Sequence, residues 1–300
     1  MSKKGLSSIK NLESRNTWLA DSLKFHQYAG LCLSGGKSNK TSLAVVQYYP
    51  KQRKIFLERL EDKISSDPIT SADEKLLNIL GSYKRRLKAL AIDAPSSLPK
   101  CIRCRLKCPG YNVCTVSEIS WLRQEYKKIN NKKKPKVGFT PYTQRCAEVY
   151  IAKHMDEPFY PSHALGSNGA PLTARANYLS RHIKQKKIEF YPKLSLWRIG
   201  RSLGVQKSYL RFHKNSADGN EIREAILAKL IDKDVAFIYD QDLKTLIKSP
   251  QAFEAFLGAL TSVLYGDKQV EAKPKGFPKS ASWIEIPNKE IIWRDLTAKK

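Results

Sequence analysis

Long apolar runs are missing from this sequence. No stretch approaches the ~18 consecutive apolar residues of a membrane-spanning helix, which excludes a helical membrane protein. Residues 1–27 are mixed polar and basic, with no apolar segment of secretory length, so the expected location is the cytoplasm and no membrane partner is expected. In that reducing compartment structural disulfides are rare, and the six cysteines are expected as thiols or metal ligands. Carboxylates are scarce too: 28 acids stand against 54 lysines and arginines, a formal net charge of +26 over 300 residues. Such an excess repels itself in a compact chain and points to a polyanion, whose phosphates release condensed counterions as they are neutralised. Nucleic acid is the expected partner, with nothing to separate DNA from RNA. Wholesale disorder is excluded, because 41% of the residues are hydrophobic and 10% aromatic. There is no internal repeat.

What is present reads as an α/β chain. Residues 1–27 form a leader segment with Trp18 and Leu19 available for packing. Tyr28–Leu33, Ser42–Tyr49 and Ile55–Leu60 are short apolar strands separated by Gly/Ser/Asn-rich or Pro-containing turns, the pattern of an antiparallel meander. Residues 71–82 open on Ser and Asp and carry Leu76, Leu77, Ile79 and Leu80, a helix signature. A fourth strand, Leu87–Ile92, ends on Asp93-Ala94-Pro95. Residues 100–136 read as a cysteine-rich basic surface insertion with a helix at 117–130. Helical pattern resumes at 143–155 and 172–185. Ile188–Tyr191 reads as a fifth strand, Ser195–Leu203 as a helix, and 221–232 and 249–265 as the two clearest late helices. Residues 266–300 read as a basic tail with a short apolar piece at Trp283–Ile286.

Four segments carry a family resemblance. They are Ala29-Gly30-Leu31-Cys32-Leu33-Ser34-Gly35-Gly36-Lys37; Ile92-Asp93-Ala94-Pro95; Glu189-Phe190-Tyr191-Pro192; and the helix holding Ala252-Phe253-Glu254-Ala255 and Gly258-Ala259-Leu260-Thr261. In this order they resemble the predicted-nuclease family catalogued as domain of unknown function 429, of the ribonuclease-H-like superfamily. The resemblance spans about residues 28–265. It implies a ribonuclease-H-like mixed sheet, with three antiparallel strands followed by parallel strands and crossover helices, and metal-dependent phosphodiester hydrolysis with Mg²⁺ or Mn²⁺. Such chemistry needs carboxylates that converge on two divalent ions about 4 Å apart. By resemblance Asp93 takes the second ligand position and Glu254 the last, with Glu189 an additional ligand or a scaffold carboxylate. At the first position, where Asp is expected, stands Cys32, and residues 28–50 contain no Asp or Glu at all. A thiol is a poor Mg²⁺ ligand. Gln251 stands one turn before Glu254, where an acid or His is expected. Whether the chain is an enzyme is therefore open, and the rival is a non-catalytic nucleic-acid-binding or scaffold protein. Gly35-Gly36-Lys37-Ser38 is not a phosphate loop, since the earlier glycine is absent and no helix follows.

Cys101, Cys104, Cys108 and Cys114 form a C-x2-C-x3-C-x5-C run. Thiolates at such spacing can converge on Zn²⁺ or an iron–sulfur cluster; a redox or transient disulfide and plain reduced thiols are the alternatives. A third reading of the chain puts this cluster at its centre, as a redox or sensor protein. Among the basic runs, Lys84, Arg85, Arg86 and Lys88, together with Lys132, Lys133 and Lys134, are the expected phosphate contacts. They are expected to flank the strand end that carries Asp93.

Overall fold

The computed structural model describes residues 24–35, 41–84, 86–130, 140–155, 159–166, 169–215 and 218–293. The first three strands form the expected antiparallel meander: β1 (His26–Cys32), β2 (Thr41–Tyr49) and β3 (Lys54–Ile64). Helix α1 (Ala72–Ser82) then crosses to β4 (Leu87–Ile92), which lies parallel to β1. The Ser71 hydroxyl accepts from the Glu74 amide at 3.1 Å, and Asp73 and Glu74 fill the first turn, so the start of α1 is set locally. Beyond β4, β5 (Lys187–Phe190) and β7 (Ile284–Glu285) extend the sheet in parallel, and β6 (Ala236–Phe237) adds in parallel beside β3. The seven-stranded order is β6-β3-β2-β1-β4-β5-β7. The chain is thus α/β with a mixed sheet, compatible with a ribonuclease-H-like arrangement. No helix among the described residues is long and apolar enough to cross a membrane.

Both faces of the central strands are buried, which is why they read as near-continuous apolar runs. Ala29, Leu31, Leu43, Val45, Leu90 and Ile92 point to one face. There they meet α1 and α5 (Gly169–His182), tied together by a two-pronged contact of Arg175 with Asp73 at 2.6 and 2.9 Å. Tyr28, Cys32, Ala44, Val46, Ala89, Ala91, Ile188 and Phe190 point to the other face. That face is covered by α6 (Pro192–Ser202), α8 (Gly219–Asp232) and α10 (Pro250–Gly266). The intervening α7 (Lys207–Leu210) and α9 (Asp240–Lys248) are shorter; α9 and the two-residue strands β6 and β7 are elements the sequence reading does not anticipate.

Helix α10 fixes the site. Ser249 caps it by accepting from the Ala252 amide, and Pro250 occupies its first turn. Every residue from Ala252 to Leu264 is buried. A helix buried all round can lie flat on the sheet only where side chains make room. Gly30 of β1 and Gly258 of α10 supply that room: a Cβ on Gly30 would run into the backbone of Ala255, Gly258 and Ala259, and one on Gly258 would lie 3.0 Å from the Gly30 Cα.

A third packing unit joins α3 (Ser117–Asn130) and α4 (Cys146–His154) to the C-terminal segment. Leu122, Tyr126, Cys146 and Ile151 pack there with Phe277, Trp283, Ile284 and Ile286. Residues read from the sequence as a basic tail thus contribute an edge strand and part of a core, because Trp283–Ile286 brings the apolar surface that docks them.

Candidate metal site

β1 and β4 run parallel, so their C-terminal ends meet at one edge of the sheet, with Leu31 in register with Ile92. Cys32 is the last residue of β1, and Asp93 follows β4 directly. Asp93 is laid across the gap between them. Its amide donates to the Leu31 carbonyl at 3.2 Å, and its Oδ1 accepts from the Leu33 amide at 2.6 Å. The close crossing of α10 over Gly30 brings Glu254, one turn before Gly258, down onto this spot. The Cys32 thiol donates to Glu254 Oε2 at 3.6 Å. Ligand atoms of Cys32, Asp93 and Glu254 all lie within 4.8 Å of one another, the one such group among the described residues. Cys32 and Glu254 are buried; Asp93 keeps some surface as a residue, while its carboxyl group is enclosed by protein atoms.

Two hydrogen-bond donors the sequence reading does not anticipate, an imidazole and an ammonium, complete the arrangement. Between α7 and α8, His213 Nε2 lies 3.1 Å and Lys214 Nζ 2.8 Å from the same oxygen, Glu254 Oε1. The turn that carries them is held by Arg223 of α8, whose guanidinium donates to the His213 and Ile247 carbonyls. His213 Nδ1 is buried without a partner among the described residues. That geometry assigns the ring proton to Nε2, facing the carboxylate. Lys214 reaches in from solvent with its side chain half-exposed.

The ionisation of the three groups is correspondingly uneven. Burial pushes the Cys32 thiol well above its usual range, and the neighbouring Asp93 and Glu254 charges push the same way, so it is a neutral thiol and no nucleophile. Burial, reinforced by Glu254, raises the Asp93 carboxyl to about 7, although the Leu33 amide and Lys214 oppose the rise. Burial would raise Glu254 too, but His213 and Lys214 outweigh it and hold this carboxyl below its ordinary value. One carboxylate is therefore charged at neutral pH while its neighbour exchanges a proton there.

A pH dependence follows. From about pH 4 to about pH 7 the folded chain keeps on Asp93 a proton that the unfolded chain has released, so this group's contribution to stability falls as pH rises through that window and then levels off. A divalent cation must displace the same proton, so its affinity rises with pH through about 7. Denaturant midpoints of the metal-free wild type should lose ground between about pH 5 and 8 relative to Asp93→Asn. Identical profiles for the two chains would contradict the assignment.

Glu189 lies beside the converging group and outside it. Arg145, at the start of α4, binds both its oxygens at 2.8 and 2.6 Å and also holds Glu148 at 2.8 Å. Glu189 in turn accepts from the Ser96 amide at 2.7 Å. It therefore ties the turn after Asp93 to Arg145. Arg145, Glu189, Asp93, Glu254, Lys214 and Lys193 line one cavity of about 270 Å³.

The basic runs stand differently from expectation. Lys84, Arg86 and Lys88 are exposed, but they lie where β4 begins, whereas Asp93 lies where it ends. An extended strand rises ~3.3 Å per residue, so Lys88 and Asp93 are separated by about 16 Å along it. Arg85, Lys132, Lys133 and Lys134 lie outside the described residues, as do Trp18 and Leu19. The lysines at the cavity are Lys193 and Lys214. Cys101, Cys104, Cys108 and Cys114 line a separate cavity and are free thiols.

In comparisons with protein-family models, curated proteins and solved structures, nothing matches this chain.

Proposed function

We propose that this protein binds nucleic acid on a ribonuclease-H-like core and keeps a single divalent-metal site at Cys32, Asp93 and Glu254, with phosphodiester cleavage weak or lost. The observation that carries this reading is the convergence of three ligand-bearing side chains from the end of β1, the end of β4 and the first turns of α10. The donor set suits one ion. Two carboxylates and a thiol fall short of what two ions need, and the next acid, Glu189, is saturated by Arg145 and Ser96. The thiol favours Zn²⁺ over Mg²⁺, and the two carboxylates suit Mn²⁺ as well. When bound there, a divalent ion would polarise a phosphoryl oxygen and make a bound water more acidic.

The chain's own groups fit a phosphate diester at this edge. Lys214 and Lys193 place cations at the cavity where a backbone phosphate would sit. Asp93 exchanges a proton near neutrality, and Glu254 stays ionised. Arg145 and Glu189 hold the turn after Asp93 in place. The net charge of +26 supports a polyanionic partner at large.

A non-catalytic reading has its own support. Lys214 already neutralises Glu254, and a neutral thiol stands at position 32 where the resemblance implies an acid, so the site is charge-balanced without an ion. A cleavage assay with Mn²⁺ and Mg²⁺ on single- and double-stranded DNA and RNA separates the two. The wild type should bind these polymers with affinity that falls steeply with salt and should cleave slowly or not at all, and Cys32→Asp should cleave faster by about tenfold or more. Cleavage by the wild type that Asp93→Asn abolishes would make the chain an intact enzyme. Absence of binding at moderate salt would overturn the proposal.

A further inference from the structure

The four clustered cysteines belong to neither the sheet-edge site nor the packed core. Cys101 lies in the short helix α2 (Lys100–Arg103), Cys104 follows it, and Cys108 and Cys114 lie in the irregular stretch before α3. All four sulfurs are free, and all four residues line one cavity of about 330 Å³ with Leu106, Tyr111, Val116, Ile119 and Tyr142. They are near enough for the other three to raise the pKa of Cys101, though burial does more.

This stretch has little regular structure of its own, yet it is pinned at both ends. Arg103 donates to both oxygens of Glu118 at 2.8 and 3.0 Å and to the Leu98 carbonyl at 3.1 Å. Arg123 of α3 donates to the carbonyls of Tyr111, Asn112 and Cys114 at 2.9, 2.9 and 3.1 Å. Two guanidinium clamps thus hold a loop whose four cysteines line a common cavity.

The spacing of the sulfurs chooses between ligands. A tetrahedral zinc site with 2.3 Å bonds has sulfur–sulfur edges of about 3.8 Å. Among the described residues the one group whose ligand atoms gather within 4.8 Å is Cys32, Asp93 and Glu254, so these four sulfurs stand wider than a zinc tetrahedron. The cavity of about 330 Å³ has room for more than a lone ion. Wide thiols, an apolar wall and room for several atoms describe a multinuclear cluster, in which thiolates cap different irons. Lys100 and Lys107 at the rim would offset the negative charge of four thiolates.

We propose that Cys101, Cys104, Cys108 and Cys114 ligate an iron–sulfur cluster in this cavity. The test is metal and acid-labile sulfide analysis of the full-length chain purified without oxygen, with its visible spectrum. Iron and sulfide in equal amounts, about four of each for a cubane, with broad absorbance near about 400 nm, are expected. Cys108→Ser, which alters the most exposed of the four, should lose at least half of the iron. Cys146→Ser should keep all of it, since that buried thiol donates to the Glu118 carbonyl instead. One zinc per chain without sulfide would overturn the proposal. So would a wild-type chain that takes up neither iron nor sulfide on anaerobic reconstitution, and so would equal iron loss in both variants.

Discussion

Replacing Gly30 by alanine is expected to destabilise the protein by about 3 kcal/mol, the upper end of what overpacking one methyl costs. The atoms in the way are backbone atoms of α10, at Ala255, Gly258 and Ala259, and backbone cannot rotate aside as a side chain can. The helix must rise from β1 instead. Glu254 rides on the same helix, so the substitution should also weaken any ion bound with Cys32 and Asp93. Gly81 supplies the control. It lies in α1 with open space where its Cβ would go. There alanine removes only the entropic handicap of glycine and should stabilise by about 0.5–1 kcal/mol. Denaturant unfolding of the two variants should give shifts of opposite sign. Equal small effects would mean that the crossing of α10 over β1 is not as tight as described.

Cys32→Asp is expected to trade stability for metal affinity. Cys32 keeps only 5% of its surface exposed, and its sulfur is 3.6 Å from a Glu254 oxygen. A third carboxyl there would have to ionise beside two others or stay protonated, and without metal the variant should lose about 2 kcal/mol. Lys214 offsets part of that charge and no more, since it already bonds Glu254. A divalent ion reverses the balance, because the extra carboxylate is a hard ligand where the thiol was a soft one. Saturation at about 100 times the dissociation constant returns roughly 2.7 kcal/mol. Thermal melts with and without Mn²⁺ should therefore show a far larger metal-induced rise for Cys32→Asp than for the wild type. Equal rises would show that residue 32 is not a ligand position.

How legible these features were in the sequence depended on whether their cause was local. β1, β2 and β4 announced themselves because burial on both faces forces unbroken apolar runs, and α1 because Ser71 and the acids after it make a cap. Asp93 and Glu254 came through the family resemblance, not from spacing, since 161 positions separate two side chains that share a site. β6 and β7 have two residues each, too few for any period. His213 and Lys214 sit in an irregular turn whose placement depends on Arg223 and α10, so nothing near them in the chain marks them. The role of Glu189 depended on Arg145, 44 residues upstream, a partner no pattern discloses. Lys84, Arg86 and Lys88 lie at the opposite end of β4 from Asp93, because proximity in sequence becomes distance once the strand is extended.

Cys32, Asp93 and Glu254 are proposed to act as one ion site. Calorimetric titration of the wild type, Asp93→Asn and Glu254→Gln with Mn²⁺ at about pH 8 tests it most directly. Asparagine at 93 can still accept the Leu33 amide, and glutamine at 254 can still accept from Lys214, so both variants should fold. The wild type should bind one ion at this site, and both variants should lose that binding by about 100-fold or more. Undiminished binding in both variants, or no saturable binding by the wild type, would contradict it.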